Sequence, residues 1–128
     1  MTFVFDECIP EAFAIILRSL GENVTHQVLR GKRGQKDKEM IPELGARGWI
    51  LITADTRIKK RSHERAMLKE HKLSTVYFAP FFFKLTMWQK AQMILKSWKR
   101  ITEQIIIEPP GTIARVKDYE GNLDILPE

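Results

Sequence analysis

The chain has 128 residues, 44% of them hydrophobic, which is enough for a real core and excludes global disorder. Its formal net charge of +5 favours anionic partners such as nucleic acid. The single cysteine, Cys8, excludes an internal disulfide and fits a reduced, cytosolic setting, and no apolar run approaches the roughly 18 residues of a membrane span.

Residues 2–5, TFVF, are apolar without alternation, as a strand buried on both faces of a parallel sheet should be. Asp6 and Glu7 follow at once; together with Glu11 they interrupt the apolar stretch that a signal peptide would need. Pro10 opens a helix whose apolar positions are Phe13, Ile16, Leu17 and Leu20, and Gly21 closes it. Residues 23–28 form a second strand, and residues 30–36, RGKRGQK, a mobile basic loop. A helix runs from Asp37 to near Gly48, with Met40, Ile41 and Leu44 on one face. Residues 49–53, WILIT, make a third buried strand that exits into the charged loop ADTRIKKR.

Ser62 caps a helix reaching about His71, and residues 74–79 form a fourth strand stopped by Pro80. Phe81, Phe82 and Phe83 either pack under the sheet or form an exposed partner patch. Thr86 with Gln89 makes a capping box for a long helix. Its stripe of Trp88, Ala91, Leu95, Trp98, Ile101 and Ile105 reads as core or as the face of a homodimer. Pro109, Pro110 and Gly111 end this helix, and the 108–128 tail carries a hairpin turn at Gly121-Asn122. The whole is expected to be one domain, 1–128, with the tail as an appended hairpin. His26, His63 and His71 lack metal-ligand spacing and are expected at the surface, whereas Cys8 reads as a small buried thiol.

Strands alternating with helices imply a parallel sheet covered on both sides, with its site at the carboxyl ends of the strands. Asp6 and Glu7 leave the first strand there, and Asp55 leaves the third. Asp37 and Glu39 begin the helix after the basic loop. Gathered carboxylates repel one another unless a cation sits among them; Mg²⁺ or Mn²⁺, which take oxygen ligands, would serve. Such an ion can lower the pKa of a bound water and neutralise charge on a phosphodiester. The loops 30–38 and 57–65 together hold ten of the 21 cations and flank these acids. Arg33, Lys36, Arg57, Lys60 and Arg61 are the candidate contacts to an RNA backbone.

Three stretches, "FVFDECIPEAFAIILRSLG", "DKEMIPELGARGWILITADTRI" and "RSHERAMLKEHKLSTVYFAP", resemble the PIN-like domain family of metal-dependent ribonucleases, which includes the toxins of type II toxin–antitoxin pairs. The resemblance spans roughly residues 2–105. It implies a three-layer α/β/α sandwich with a central, mainly parallel sheet and three or four acids binding Mg²⁺ or Mn²⁺. By this resemblance the catalytic and metal-binding acids fall on Asp6, Asp37 and Asp55, with Glu7 and Glu39 as further metal candidates. Many relatives carry another acid two residues after the last of these, where this chain has Arg57. The implied function is an endoribonuclease toxin blocked by a cognate antitoxin. Two alternatives stand beside it. One is a catalytically impaired derivative that binds RNA or protein, motivated by Arg57. The other is a phosphoryl-accepting receiver domain, which also wants Ser or Thr after the fourth strand and a Lys-Pro after the fifth; this chain has Ala79-Pro80 after the fourth strand and no Lys-Pro.

Overall fold

The computed structural model describes residues 1–55, 57 and 61–127. The unbroken apolar runs become the centre of a sheet. In chain order the elements are β1 (Phe3–Phe5), α1 (Glu11–Ser19), β2 (Val24–His26), α2 (Asp37–Arg47), β3 (Ile50–Thr53), α3 (Ser62–Glu70), β4 (Ser74–Phe78), α4 (Met87–Ile106), β5 (Ile113–Val116) and β6 (Leu123–Ile125). The strands form one sheet in the order β2-β1-β3-β4-β5-β6. Neighbours pair in parallel from β2 through β5, and β6 returns antiparallel to β5. The tail is thus continuous with the sheet, because β5 takes a parallel place beside β4 before the chain turns at Gly121 (φ 83°).

Alternate residues of each strand feed two cores, the two-residue period at work. Phe3, Phe5, Ile50, Ile52, Val76 and Phe78 pack beneath α1 and α4. Val4, Leu51 and Tyr77 pack beneath α2 and α3 through Met40, Ile41, Leu44 and Leu68. The result is a mixed α/β sandwich, helices on both faces of a mainly parallel sheet. Edge-on contacts of Phe3 and Phe5 with Trp98, at 5.3 and 5.5 Å between ring centroids, anchor α4 to β1. On the other face Gly45 lets α2 close on the end of α3, since a β-carbon there would collide with the His71 carbonyl. At the other end of the pair the first turns of α2 and α3 line one depression at the carboxyl edge of the sheet.

Some expectations change. The α4 stripe does not include Trp88, which is 75% exposed, and Leu95 is also exposed. The buried face runs through Ile94, Trp98, Ile101 and Ile105. At about 100° per residue Trp88 stands some 80° around the helix from Trp98, at the helix's first turn. The three phenylalanines divide: Phe82 stacks on Phe78 in the core, Phe81 lies against Tyr119, and Phe83 is exposed. His26 is buried at 1% exposure instead of lying on the surface. Its Nδ1 accepts from the Val28 N–H, so Nε2 carries the proton that it donates to the Ile9 carbonyl. Loop 30–36 is folded into turns. The Lys32 N–H bonds the Gln27 carbonyl, and Gln27 and Gln35 join through their side chains.

Candidate functional site

The strand-end rule places the site where β1 and β3, adjacent in the sheet, release their chains. Asp6 follows β1, and its N–H still bonds the Ile52 carbonyl, which holds the residue against β3. Its carboxylate accepts from the Glu7 N–H at 2.8 Å and from the Thr53 hydroxyl at 3.2 Å. Thr53 joins the two exits: its oxygen also accepts from the Asp55 N–H at 3.1 Å. Cys8 Sγ lies 3.3 Å from the same oxygen and accepts from the Ala54 N–H. Cys8 as a residue is exposed rather than buried, but its thiol turns inward to this network.

Burial pushes the Asp6 carboxyl above its ordinary value, against the two hydrogen bonds that favour its charged form, and the negative charges of Asp37 and Glu7 add to the rise. Among the described residues it has no ion-pair partner. Asp55 goes the other way. Burial alone would raise it, but bonds from Arg57 and the charges of Arg57 and Arg61 outweigh that and hold it below the usual carboxylate range. Arg57 Nε donates to Oδ1 at 3.0 Å, and its Nη2 donates to Oδ2 at 3.3 Å. Arg61 is 3.7 Å from Asp55 Oδ2 and 3.3 Å from Glu64 Oε2.

Asp37 occupies the first turn of α2, exposed, with Lys36 at the cap. Glu64, in the first turn of α3, is a member of this edge that the sequence does not announce. Burial raises its carboxyl, and the charges of Asp37 and Asp55 raise it further while Arg61 opposes them. Asp37, Lys38, Arg61, His63, Glu64 and Met67 line one open depression between the two helix starts. Asp6, Asp37, Asp55 and Glu64 therefore influence one another at one edge. Glu7 adds its charge to Asp6 but is bonded elsewhere. Glu7 accepts from the Gly34 N–H at 2.9 Å and so ties the basic loop to the β1 exit; Glu39 is exposed on α2. Arg33 and Lys36 are exposed on that tied loop, whereas Arg30 is committed to Glu43 and to the Trp49 ring. Lys60 lies outside the described residues. A larger groove along α4, lined in part by Leu95, Lys96, Arg100 and Tyr119, is not formed by these acids.

The donor chemistry of the edge, dominated by four carboxylates with His63 beside them, suits a hard cation such as Mg²⁺ or Mn²⁺. Its spacing does not: among the described residues no three His, Cys, Asp or Glu side chains stand close enough to hold a common ion. Among the described residues Arg57, Arg61 and Lys38 bring positive charge to the edge.

No curated protein and no solved structure matches this chain. A family model described as "PIN like domain" matches residues 1–80, which hold β1 through β4 and all four acids of the edge. With that match over more than half its length, on a mainly parallel α/β sandwich, the chain belongs to the PIN-like domain family.

Proposed function

We propose that this protein hydrolyses RNA phosphodiesters at the carboxyl edge of its sheet. PIN-like domains are generally nucleases that use divalent metals, and this reading narrows that to a Mg²⁺- or Mn²⁺-dependent endoribonuclease. The observation that carries it is the convergence of acids from four separate elements beside two arginines: Asp6, Asp37, Asp55 and Glu64 with Arg57 and Arg61. The arginines, with Arg33 and Lys36 on the neighbouring loop, would hold backbone phosphates. Thr53 aims the Asp6 carboxylate, and the raised affinity of Asp6 for a proton suits it to accept one from an attacking water. A toxin held in check by an antitoxin that shields this edge is the biological setting we propose; expressing the chain alone and with the product of an adjacent reading frame tests it through growth arrest and its relief.

Asp6→Asn and Asp55→Asn keep the shape of each side chain and remove its charge. Each should reduce cleavage of a labelled RNA in Mg²⁺ or Mn²⁺ by about a hundredfold or more, with the circular dichroism spectrum unchanged. Full activity in both variants would refute the assignment. A second reading, an RNA-binding derivative that has lost cleavage, is favoured by the fork that Arg57 places on Asp55. Salt-sensitive RNA binding without cleavage at any Mg²⁺ or Mn²⁺ concentration would select it.

A further inference from the structure

A groove of about 900 Å³, not lined by the edge acids, runs between α4 and the turn that joins β5 to β6. Buried Met93 and Ser97 form its floor, with Leu95, Lys96 and Arg100 along the helix and Tyr119 on the turn. That turn is fixed in place. A β-carbon on Gly121 would come within 2.7 Å of the Ser97 β-carbon, so glycine lets the turn seat on α4. Asp118 accepts from the Glu120 and Asn122 N–H groups at 3.1 Å each. Gln104 donates to the Gly121 carbonyl at 2.7 Å and accepts from the Leu123 N–H at 3.0 Å, and Arg100 donates to the Asn122 side chain at 3.2 Å. The groove is therefore formed before anything binds, which lowers the cost of binding.

Its charge is one-sided. Lys96 and Arg100 line it, and Lys99 is exposed three residues beyond Lys96. Among the described residues none of these three has an ion-pair partner, whereas Arg115 and Lys117 of the neighbouring hairpin are both paired with Asp124. Glu120 is the one acid among the described lining residues. Between these charges Leu95 and Tyr119 stay 38% and 53% exposed. A second copy of this chain is a poor occupant, because a twofold contact would set the cations against their own copies. Nucleic acid suits the groove less well than protein does. Met93 and Leu95 offer aliphatic surface instead of stacking rings, and the Tyr119 ring already leans on Phe81 at 5.2 Å between centroids. From Gln89 to Arg100 the groove follows α4 for roughly 16 Å, about three helical turns.

We propose that this groove docks a partner protein through an acidic, amphipathic helix of about three turns. Its apolar stripe would lie on Leu95 and Tyr119, and its carboxylates would meet Lys96, Lys99 and Arg100. The inference stands apart from the nuclease reading.

The probe is a library of displayed random peptides of about 14 residues, long enough to span the groove as a helix, selected on the whole chain. Recovered peptides are labelled and their affinity is read by fluorescence anisotropy. They should carry Asp and Glu, with apolar residues three and four apart. Lys96→Glu combined with Lys99→Glu should weaken them by about tenfold or more, and so should Leu95→Asp. Arg33→Glu combined with Lys36→Glu makes the same change in net charge at the other surface and should leave their affinity where it was. All these positions are exposed, so the circular dichroism spectrum should not change. Recovery of no acidic, amphipathic peptide overturns the proposal, as does an equal loss in the two charge-reversed pairs. A short RNA weakened more by the Lys96 and Lys99 reversal than by the Arg33 and Lys36 reversal would make the groove a nucleic-acid surface and overturn it too. So would a dimer in sedimentation that Leu95→Asp dissolves.

Discussion

Thr53 shows how much chemistry one hydroxyl can organise. It has one proton, donated to Asp6, so the remaining bonds at its oxygen are accepted ones, from the Asp55 N–H and the Cys8 thiol. Thr53→Val keeps the β-branched shape that the strand requires and deletes every one of these bonds. Cleavage should fall ten- to a hundredfold, the range found when the support of a working carboxylate is removed, while affinity for RNA measured without divalent cations stays constant. A loss of RNA affinity instead would show Thr53 to be merely structural. Asp55 is legible in the sequence because it leaves a buried strand at the edge where sites form, but the bonds of Thr53 are not, since a β-branched residue suits a strand without them. Glu64 is not legible either, since in "RSHER" an acid among cations looks like any solvated helix face. Only the packing of α3 beside α2 turns it toward Asp37 and Asp55. His26, expected at the surface, escapes for a related reason. Its burial depends on the Ile9 carbonyl, 17 residues away, which no local pattern announces.

At the scale of elements, α2 does two jobs: its first turn carries Asp37 and its middle holds the basic loop in place. Glu43 accepts from Arg30, from Arg47 Nε at 2.9 Å and from Gln35 Nε2 at 3.3 Å, binding the helix to residues on both sides of the loop's turn. Burial pushes this carboxyl upward, but the bonds from Arg30, Arg47 and Gln35 outweigh it and leave the folded value below the ordinary 4.5. The unfolded chain therefore takes up the proton first. The stability that Glu43 contributes is full above 4.5 and is lost as pH falls through the lower folded value. Glu43→Gln should cost about 1–3 kcal/mol near neutral pH, and the gap from the natural chain should close in acid. Urea unfolding at about pH 7 and about pH 3 measures both limbs; a gap that stays constant with pH would contradict the ion-pair account. The same element level is the most legible in the sequence. TFVF and WILIT have to be buried strands because no amphipathic face could hold them, and Thr86-Gln89 begins α4 as the capping box requires. The face of α4 is harder. A run of apolar residues spaced at three and four admits Trp88, and only the length of sheet beneath the helix decides that contact begins further along.

For the molecule as a whole, the charge of +5 matters less than its placement. Arg33 and Lys36 follow β2, Arg57 and Arg61 follow β3, and the parallel order brings both groups to the edge that carries the acids. The alternation of strands and helices makes this edge readable in advance, because crossovers between parallel strands bring the exits of β1 through β5 to one side. What composition could not distinguish is this patch from the cations of α4, such as Lys96 and Arg100, which line the larger groove. The two surfaces separate in a salt titration. Each phosphate contact to a single strand contributes about 0.7 to the slope of log affinity against log salt. With divalent cations removed, replacing both Arg33 and Lys36 by alanine should lower the slope for a short RNA by about 1.4 and weaken binding whatever the sequence. Replacing both Lys96 and Arg100 should leave the slope where it was, since that groove is not formed by the acid edge. Fluorescence anisotropy over a range of KCl reads both variants, and an equal drop in the two would mean that the polyanion is gathered by net charge rather than by the edge. A drop confined to Arg33 and Lys36 is what the tie between Glu7 and Gly34 is placed to secure, because it holds that loop against the β1 exit where Asp6 emerges.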